Sequence, residues 1–241
     1  MTTSSGRFQS NHRALVLVGR NLPEIPDRSP FSPLASAFCI EPGGVIVTSW
    51  HTLDDFFRTW TVLQFDGTNQ PCERHEMPTF SFFAELGPPG EIQLFPPRSL
   101  YACPDTDVAI VRLQDNHTYA PLPSLELASV APLVGDRIEL VAHYQPGTPP
   151  KDPDGLTLGW AVTFQQANVV RLQSDSFFID YLASKGMSGA PVCDPTTKQV
   201  LGMVSEVWSR SAAQRELGVD VPVTRITGVS TIKECYHAAA A

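Results

Sequence analysis

Gly186-Met187-Ser188-Gly189-Ala190-Pro191-Val192 sets a serine between glycines immediately ahead of an apolar run. A serine hydroxyl is a weak nucleophile until a neighbouring base takes its proton, and flanking glycines leave backbone N–H groups free to aim at a developing negative oxygen. Alone, the stretch reads equally as a Gly-Ser turn entering a strand, so the rest of the chain must decide. The run that follows, 190–193, is one of many short stretches of β-branched and apolar residues closed by Gly, Pro, Asn or Asp, the pattern of a sheet protein.

Working outward, the first half predicts strands at 14–18, 37–40, 45–49, 61–65, 91–95 and 107–113, with turns at Pro42-Gly43-Gly44, Asp66-Gly67 and Gly87-Pro88-Pro89-Gly90. A Pro- and Leu-rich passage over 120–135 breaks the alternation and connects to a second unit. There, strands are expected at 137–142, 157–164, 169–172, 177–180, 190–193, 200–206 and 219–224. The segment from Arg225 to Cys235 is expected to form a short final helix. Similar strand counts in the halves imply an all-β chain of two antiparallel barrels packed face to face, each closing its own edges, with a cleft between them.

Composition narrows the function. Pro numbers 22 of 241 residues, against an average usage of about 5%, which disfavours long helices. Seventeen basic against 25 acidic side chains give a net charge of −8, so no basic stripe is available for a phosphate backbone and nucleic acid is excluded as a partner. No apolar stretch approaches the roughly 20 residues of a membrane helix, and Met1 to Arg7 lacks the apolar core of a secretory signal. A soluble, cytoplasmic chain is expected, with no membrane partner. Cys39, Cys72, Cys103, Cys193 and Cys235 form an odd, scattered set without a C-x-x-C pair, which predicts reduced and mostly packed thiols. Neither a metal nor another cofactor is expected.

Two further stretches carry candidate chemistry. Val45-Ile46-Val47-Thr48-Ser49-Trp50-His51 is a buried-type strand that delivers a histidine just past its end, a placement that suits a base, although a histidine beside apolar residues is often a packed core group. His12, His75, His117, His143 and His237 compete, and only His143 also follows a strand closely. Pro104-Asp105-Thr106-Asp107-Val108-Ala109-Ile110-Val111-Arg112-Leu113 puts an acid at the mouth of an apolar strand. A carboxylate there is desolvated and stays ionised only if something donates to it, for which an imidazole N–H is suited. Asp105 is a rival; Asp107 is preferred because it abuts the apolar run.

Taken in order, Thr48 to His51, Asp107 to Leu113 and Gly186 to Pro191 resemble the three signature segments of trypsin-like serine peptidases. Val134 to Val141, opening the second barrel, and Val200 to Ser205, beside the specificity pocket, are similar to further family features, so the likeness covers most of residues 13–226. It implies two six-stranded barrels, the first at about 13–120 and the second at about 135–226, joined by a linker at 121–134 and followed by a helix or tail over 227–241. It also implies that Ser188 attacks the scissile carbonyl, His51 shuttles the proton and Asp107 orients the imidazole. Gly186 and Ser188 would supply the oxyanion-hole N–H groups. Ser205 would line the pocket and support Asp107. For specificity, Leu182, six residues before the nucleophile, points to an apolar substrate side chain, whereas Asp220 near the pocket wall would receive Arg or Lys.

The chain also departs from the digestive trypsins. Met187 stands where they carry the aspartate that pairs with a newly cut N-terminus, and a thioether cannot accept that ion pair; the disulfide flanking their histidine has no counterpart. It is closer to non-zymogen bacterial peptidases of this fold, which implies a protein or peptide substrate and fused or associated regulatory domains in a larger signalling or defence protein. The alternative is a silent module that binds a peptide without turnover. An α/β-hydrolase esterase is excluded by Ala190, where its elbow needs Gly, and by the chain order of the three residues. Cys72 and His75 form a single C-x-x-H with no second ligand pair, too little for a zinc site.

Overall fold

The computed structural model describes residues 14–21, 31–54, 80–85, 92–95, 97–114, 121–144 and 161–240. The expected strand at 61–65, the turns at 66–67 and 87–90, and Cys72 with His75 lie outside the described residues.

The first unit holds β1 (Leu15–Asn21), β2 (Phe31–Glu41), β3 (Val45–Ser49), β4 (Phe80–Glu85), β5 (Ile92–Phe95), β6 (Pro97–Cys103) and β7 (Val108–Leu113). They form one antiparallel sheet in the order β5-β4-β1-β2-β3-β7-β6. The second unit holds β8 (Arg137–Tyr144), β9 (Ala161–Leu172), β10 (Ser176–Ile179), β11 (Pro191–Cys193), β12 (Val200–Trp208) and β13 (Val223–Gly228). These close into a six-stranded barrel in the order β10-β13-β12-β11-β8-β9. Among the described residues, two helices follow β12 and β13, α1 (Arg210–Leu217) and α2 (Val229–Ala240).

The chain is thus mostly β, as expected, with a closed six-stranded barrel and a second antiparallel sheet. Among the described residues that first sheet has seven strands, of which β4 and β6 were not anticipated, while the expected strand at 61–65 lies outside them. β9 runs unbroken where two strands were expected, since Asp180 holds both the backbone N–H (2.6 Å) and the side-chain amide (2.8 Å) of Asn168 within the strand. β13 begins at Val223 rather than 219, because 218–222 is the loop that leads out of α1, and it runs on to Gly228, so the final helix starts at Val229 rather than Arg225. Ser209 caps α1 by accepting from the Ala212 N–H, and Gly218 closes it in the left-handed region, a helix that was not anticipated.

Alternation of side chains sets where the core sits. On β7, Ala109 and Val111 face the interior of the first unit with Val16, Ala37 and Ile46. Val108 and Ile110 face the opposite way, into a shared core with Phe38, Val47, Cys193, Val200 and Met203. Both faces of these central strands are therefore buried, which is why their sequences read as continuous apolar runs. Each large side chain so buried contributes about 1.5 to 3 kcal/mol. α2 adds Ile232 and Cys235 to the shared core, and its Lys233 donates to the carbonyl of Ala128 at 2.7 Å. The seam where the two units meet is a buried apolar core, and the candidate site lies at its edge.

Candidate active site

Strand register brings the base and acid together. Ser49 on β3 pairs with Val108 on β7, so the residues just past the end of one strand lie beside those just before the other. The chain turns helical at 50–54, with the hydroxyls of Ser49 and Thr52 bonded at 2.8 Å, and the Trp50 N–H donates to the Asp107 carbonyl at 3.1 Å. Asp107 closes the 3-10 turn Pro104–Thr106 with φ of 58°. Aspartate tolerates this left-handed conformation better than most residues, and it turns the carboxylate back over His51.

The contacts that result are specific. Asp107 Oδ1 accepts the backbone N–H of His51 at 2.8 Å, while Nδ1 of the ring lies 2.8 Å from Oδ2 and 3.0 Å from Oδ1. Nε2 lies 3.1 Å from the Ser188 hydroxyl. The Asp107 side chain is 24% exposed and that of His51 43%, so the acid is sheltered behind the ring and the ring's outer edge meets solvent. Asp105 is exposed on the 3-10 turn. His143 meets the site through its backbone, its N–H donating to the Ser36 hydroxyl at 3.0 Å.

The serine sits on a loop wound by its own hydrogen bonds. The Met187 N–H donates to Ser184 O at 3.1 Å and the Ala190 N–H to Met187 O at 2.9 Å. The Ser184 N–H donates to the Met187 sulfur at 3.2 Å, and that side chain is buried in the barrel core. Burial of an apolar side chain thus anchors the loop at the position where digestive trypsins use an ion pair. Gly189, at φ of 82°, passes so close to β2 and β3 that a Cβ there would lie 2.1 Å from the Ser36 carbonyl oxygen and 2.6 Å from Thr48 Oγ1. Among the described residues no hydrogen bond engages the N–H of Gly186 or of Ser188.

The backbone around Leu182 and the Ser205 hydroxyl both bond to β13, and Asp220 lies before that strand. Thr224 accepts the Ala183 N–H at 3.0 Å and donates to the Tyr181 carbonyl. Both bonds pull the backbone at 181 and 183 onto β13, and Leu182 between them turns outward, 52% exposed. Asp220 precedes β13 rather than lying on it, and it is exposed and paired with Arg210 at 2.9 and 2.6 Å. The expectation of a buried carboxylate for a cationic substrate is therefore corrected, because its charge is already met at the surface. Ser205 is buried on β12, but its hydroxyl donates to the Arg225 carbonyl at 3.2 Å rather than to Asp107. Sequence reasoning missed Ser36 and Thr224, both fully buried hydroxyl residues within strands; their only signal was a polar residue inside an apolar run.

The four described cysteines, Cys39, Cys103, Cys193 and Cys235, are free thiols. Burial pushes Cys39 up to about 11 and Cys193 to about 12, far from the thiolate character a nucleophile needs.

The family model described as a trypsin-like peptidase domain matches residues 35–203. A comparison with curated proteins finds no match. Among solved structures, the MamO protease domain from Magnetospirillum magneticum in its apo form is 14% identical, with 94% of this chain and 97% of that one covered at a TM-score of 0.62. Deg5 is also 14% identical, with 97% and 94% covered at 0.62. The Rv3671c protease from M. tuberculosis in its active form is 18% identical, with 95% and 82% covered at 0.57. At these identities the likeness is one of fold.

Proposed function

The chain belongs to the trypsin-like peptidase domain family, and from that premise we propose that it is a serine endopeptidase acting through His51, Asp107 and Ser188. The single observation that carries this is the unbroken run from Asp107 Oδ2 to Nδ1 at 2.8 Å and from Nε2 to the Ser188 hydroxyl at 3.1 Å. With Nδ1 donating to the carboxylate, Nε2 is left as the acceptor that a base requires.

Ser188 Oγ attacks the substrate carbonyl carbon as its proton passes to Nε2, and the Asp107 carboxylate stabilises the resulting imidazolium. The oxygen of the tetrahedral intermediate takes the N–H groups of Gly186 and Ser188, each such donor being worth about 10²- to 10³-fold in rate. Nε2 then gives its proton to the leaving amine, the C–N bond breaks, and an acyl-serine remains. Water, deprotonated by the same nitrogen, releases the acid and restores the hydroxyl. An extended peptide has a place to lie: β12 pairs with β11 only through Val200 to Met203 and with β13 on its other side out to Trp208. Among the described residues no strand pairs with that edge of 205–208, and strand addition there would supply affinity through main-chain bonds.

The test is labelling with a fluorophosphonate probe, with Ser188→Ala as control, alongside mass spectrometry of products from a peptide library. Labelling of the native protein alone, with cleaved peptides, is the expected result. Peptide-dependent thermal stabilisation without labelling or product would establish the silent binding module instead.

A further inference from the structure

We propose that Ser36 is a positioning residue that clamps the Gly186–Ser188 loop to the strands carrying the base, so that removing its hydroxyl loosens the oxyanion-binding amides. The role assigned to those amides rests on the peptidase reading; the clamp itself is geometric.

Ser36 lies on β2, wholly buried, 150 positions from the loop it touches. Its backbone N–H donates to the carbonyl of Ser188 at 3.0 Å, and its hydroxyl donates to the carbonyl of Gly186 at 2.9 Å. Both ends of the loop are therefore held by one residue of the other unit. The hydroxyl also accepts the His143 N–H at 3.0 Å, with the His143 carbonyl a more distant acceptor at 3.2 Å. One hydroxyl proton cannot serve both carbonyls fully, and the nearer is that of Gly186. On its far side, the Ser36 carbonyl accepts from Thr48 Oγ1 at 2.9 Å, three residues before His51 on β3. The path from base to nucleophile loop is thus Thr48, Ser36, then Gly186 and Ser188, and Gly189 leaves no room for it to slide.

Ser36→Ala keeps the backbone bond to Ser188 but removes the hydroxyl's bond to the buried Gly186 carbonyl, so the Gly186–Met187 peptide is free to reorient. The amides it flanks then lose their aim. A loosened donor costs less than a deleted one, so a fall of about 10-fold in kcat per active site is expected, against about 10²-fold or more for complete loss. KM is expected to hold within twofold, because the base and the β12 edge are untouched.

The experiment compares the native protein, Ser36→Ala and Ser36→Thr. Active sites are counted by fluorophosphonate titration, kcat and KM are measured per titrated site, and backbone hydrogen exchange of 184–190 is followed by mass spectrometry. Expected for Ser36→Ala are the selective fall in kcat and exchange over 184–190 at least about 10-fold faster, with protection of β11 and β13 retained; Ser36→Thr, which keeps the hydroxyl, restores both. Unchanged exchange of 184–190 in Ser36→Ala overturns the clamp, and that readout decides it even in a protein without turnover. If the native protein is neither labelled nor active, the peptidase reading fails, whatever the exchange shows. A loss of rate that merely tracks the folded fraction, or rises in KM rather than kcat, also overturns the inference.

Discussion

Replacing Asp107 by Asn isolates the electronic role of the acid from its shape. Asparagine tolerates the φ of 58° about as well as aspartate, so the turn survives, whereas alanine would strain it. The amide can then face His51 in two ways. If its oxygen keeps the backbone N–H of His51, bound at 2.8 Å by Oδ1, its NH2 meets Nδ1 at the 2.8 Å position of Oδ2. Nδ1 must then accept, the ring proton moves to Nε2, and the group 3.1 Å from Ser188 is a donor that cannot take the serine proton. The opposite orientation restores the useful tautomer but sets NH2 against the His51 N–H, orphaning a sheltered donor at a cost of about 1 to 3 kcal/mol. Even there the charged partner of the imidazolium is gone, and a charge-assisted bond is worth about 1.5 to 3 kcal/mol. Together these raise the barrier by roughly 2.5 to 6 kcal/mol, or about 10²- to 10⁴-fold in kcat. KM is expected to stay within twofold. Peptide hydrolysis and the rate of fluorophosphonate labelling both report the effect. Retention of more than about a tenth of native kcat by a folded Asp107→Asn protein would refute the tautomer reasoning.

Met187 anchors the nucleophile loop by burial, so Met187→Ala is expected to cost about 2 to 5 kcal/mol of stability and to lower kcat per titrated site. Met187→Leu keeps the volume and is expected to cost less than about 1.5 kcal/mol; equal melting temperatures for native and Ala proteins would contradict the anchoring role. Cys39 and Cys193 are expected to resist iodoacetamide in the native protein at pH 8, and their modification at the rate of a free thiol would count against their burial. Because burial raises these thiols from 9.0 to about 11 and about 12, the unfolded chain loses their protons first as pH rises. Their contribution to stability is therefore full below about pH 9 and declines through pH 11 to 12, which denaturant midpoints across that range, with and without Cys39→Ala, will show.

Much of the site was legible because its parts are local. An apolar run fully buried on both faces, such as Val45 to Thr48 or Val108 to Val111, announces itself by composition, and the polar residue at its end is exposed by position. Ser188 was legible because two glycines bracket it. α1 was missed although Ser209 and Gly218 marked its ends, since eight residues with little apolar periodicity give a weak helical signal. Asp220 was misread because pocket residues are defined by which way a loop faces. Two hydrogen bonds from Thr224, some 41 to 43 positions away, turned Leu182 outward, and Arg210 drew Asp220 to the surface.

By itself the chain's order of residues determined that strands dominate, where most of them lie, and which three side chains end up at strand mouths or in the glycine-flanked turn. These are consequences of side-chain alternation and backbone freedom, which act over a few neighbouring residues. Only the tertiary structure decided that Nε2 meets the hydroxyl 137 positions away, that Ser36 bonds both Gly186 and Ser188, and that Asp220 is paired with Arg210 at the surface. Those facts depend on strand register and on how two buried faces pack across a seam, and a shift of one residue in either would send the same side chains to opposite sides of the sheet.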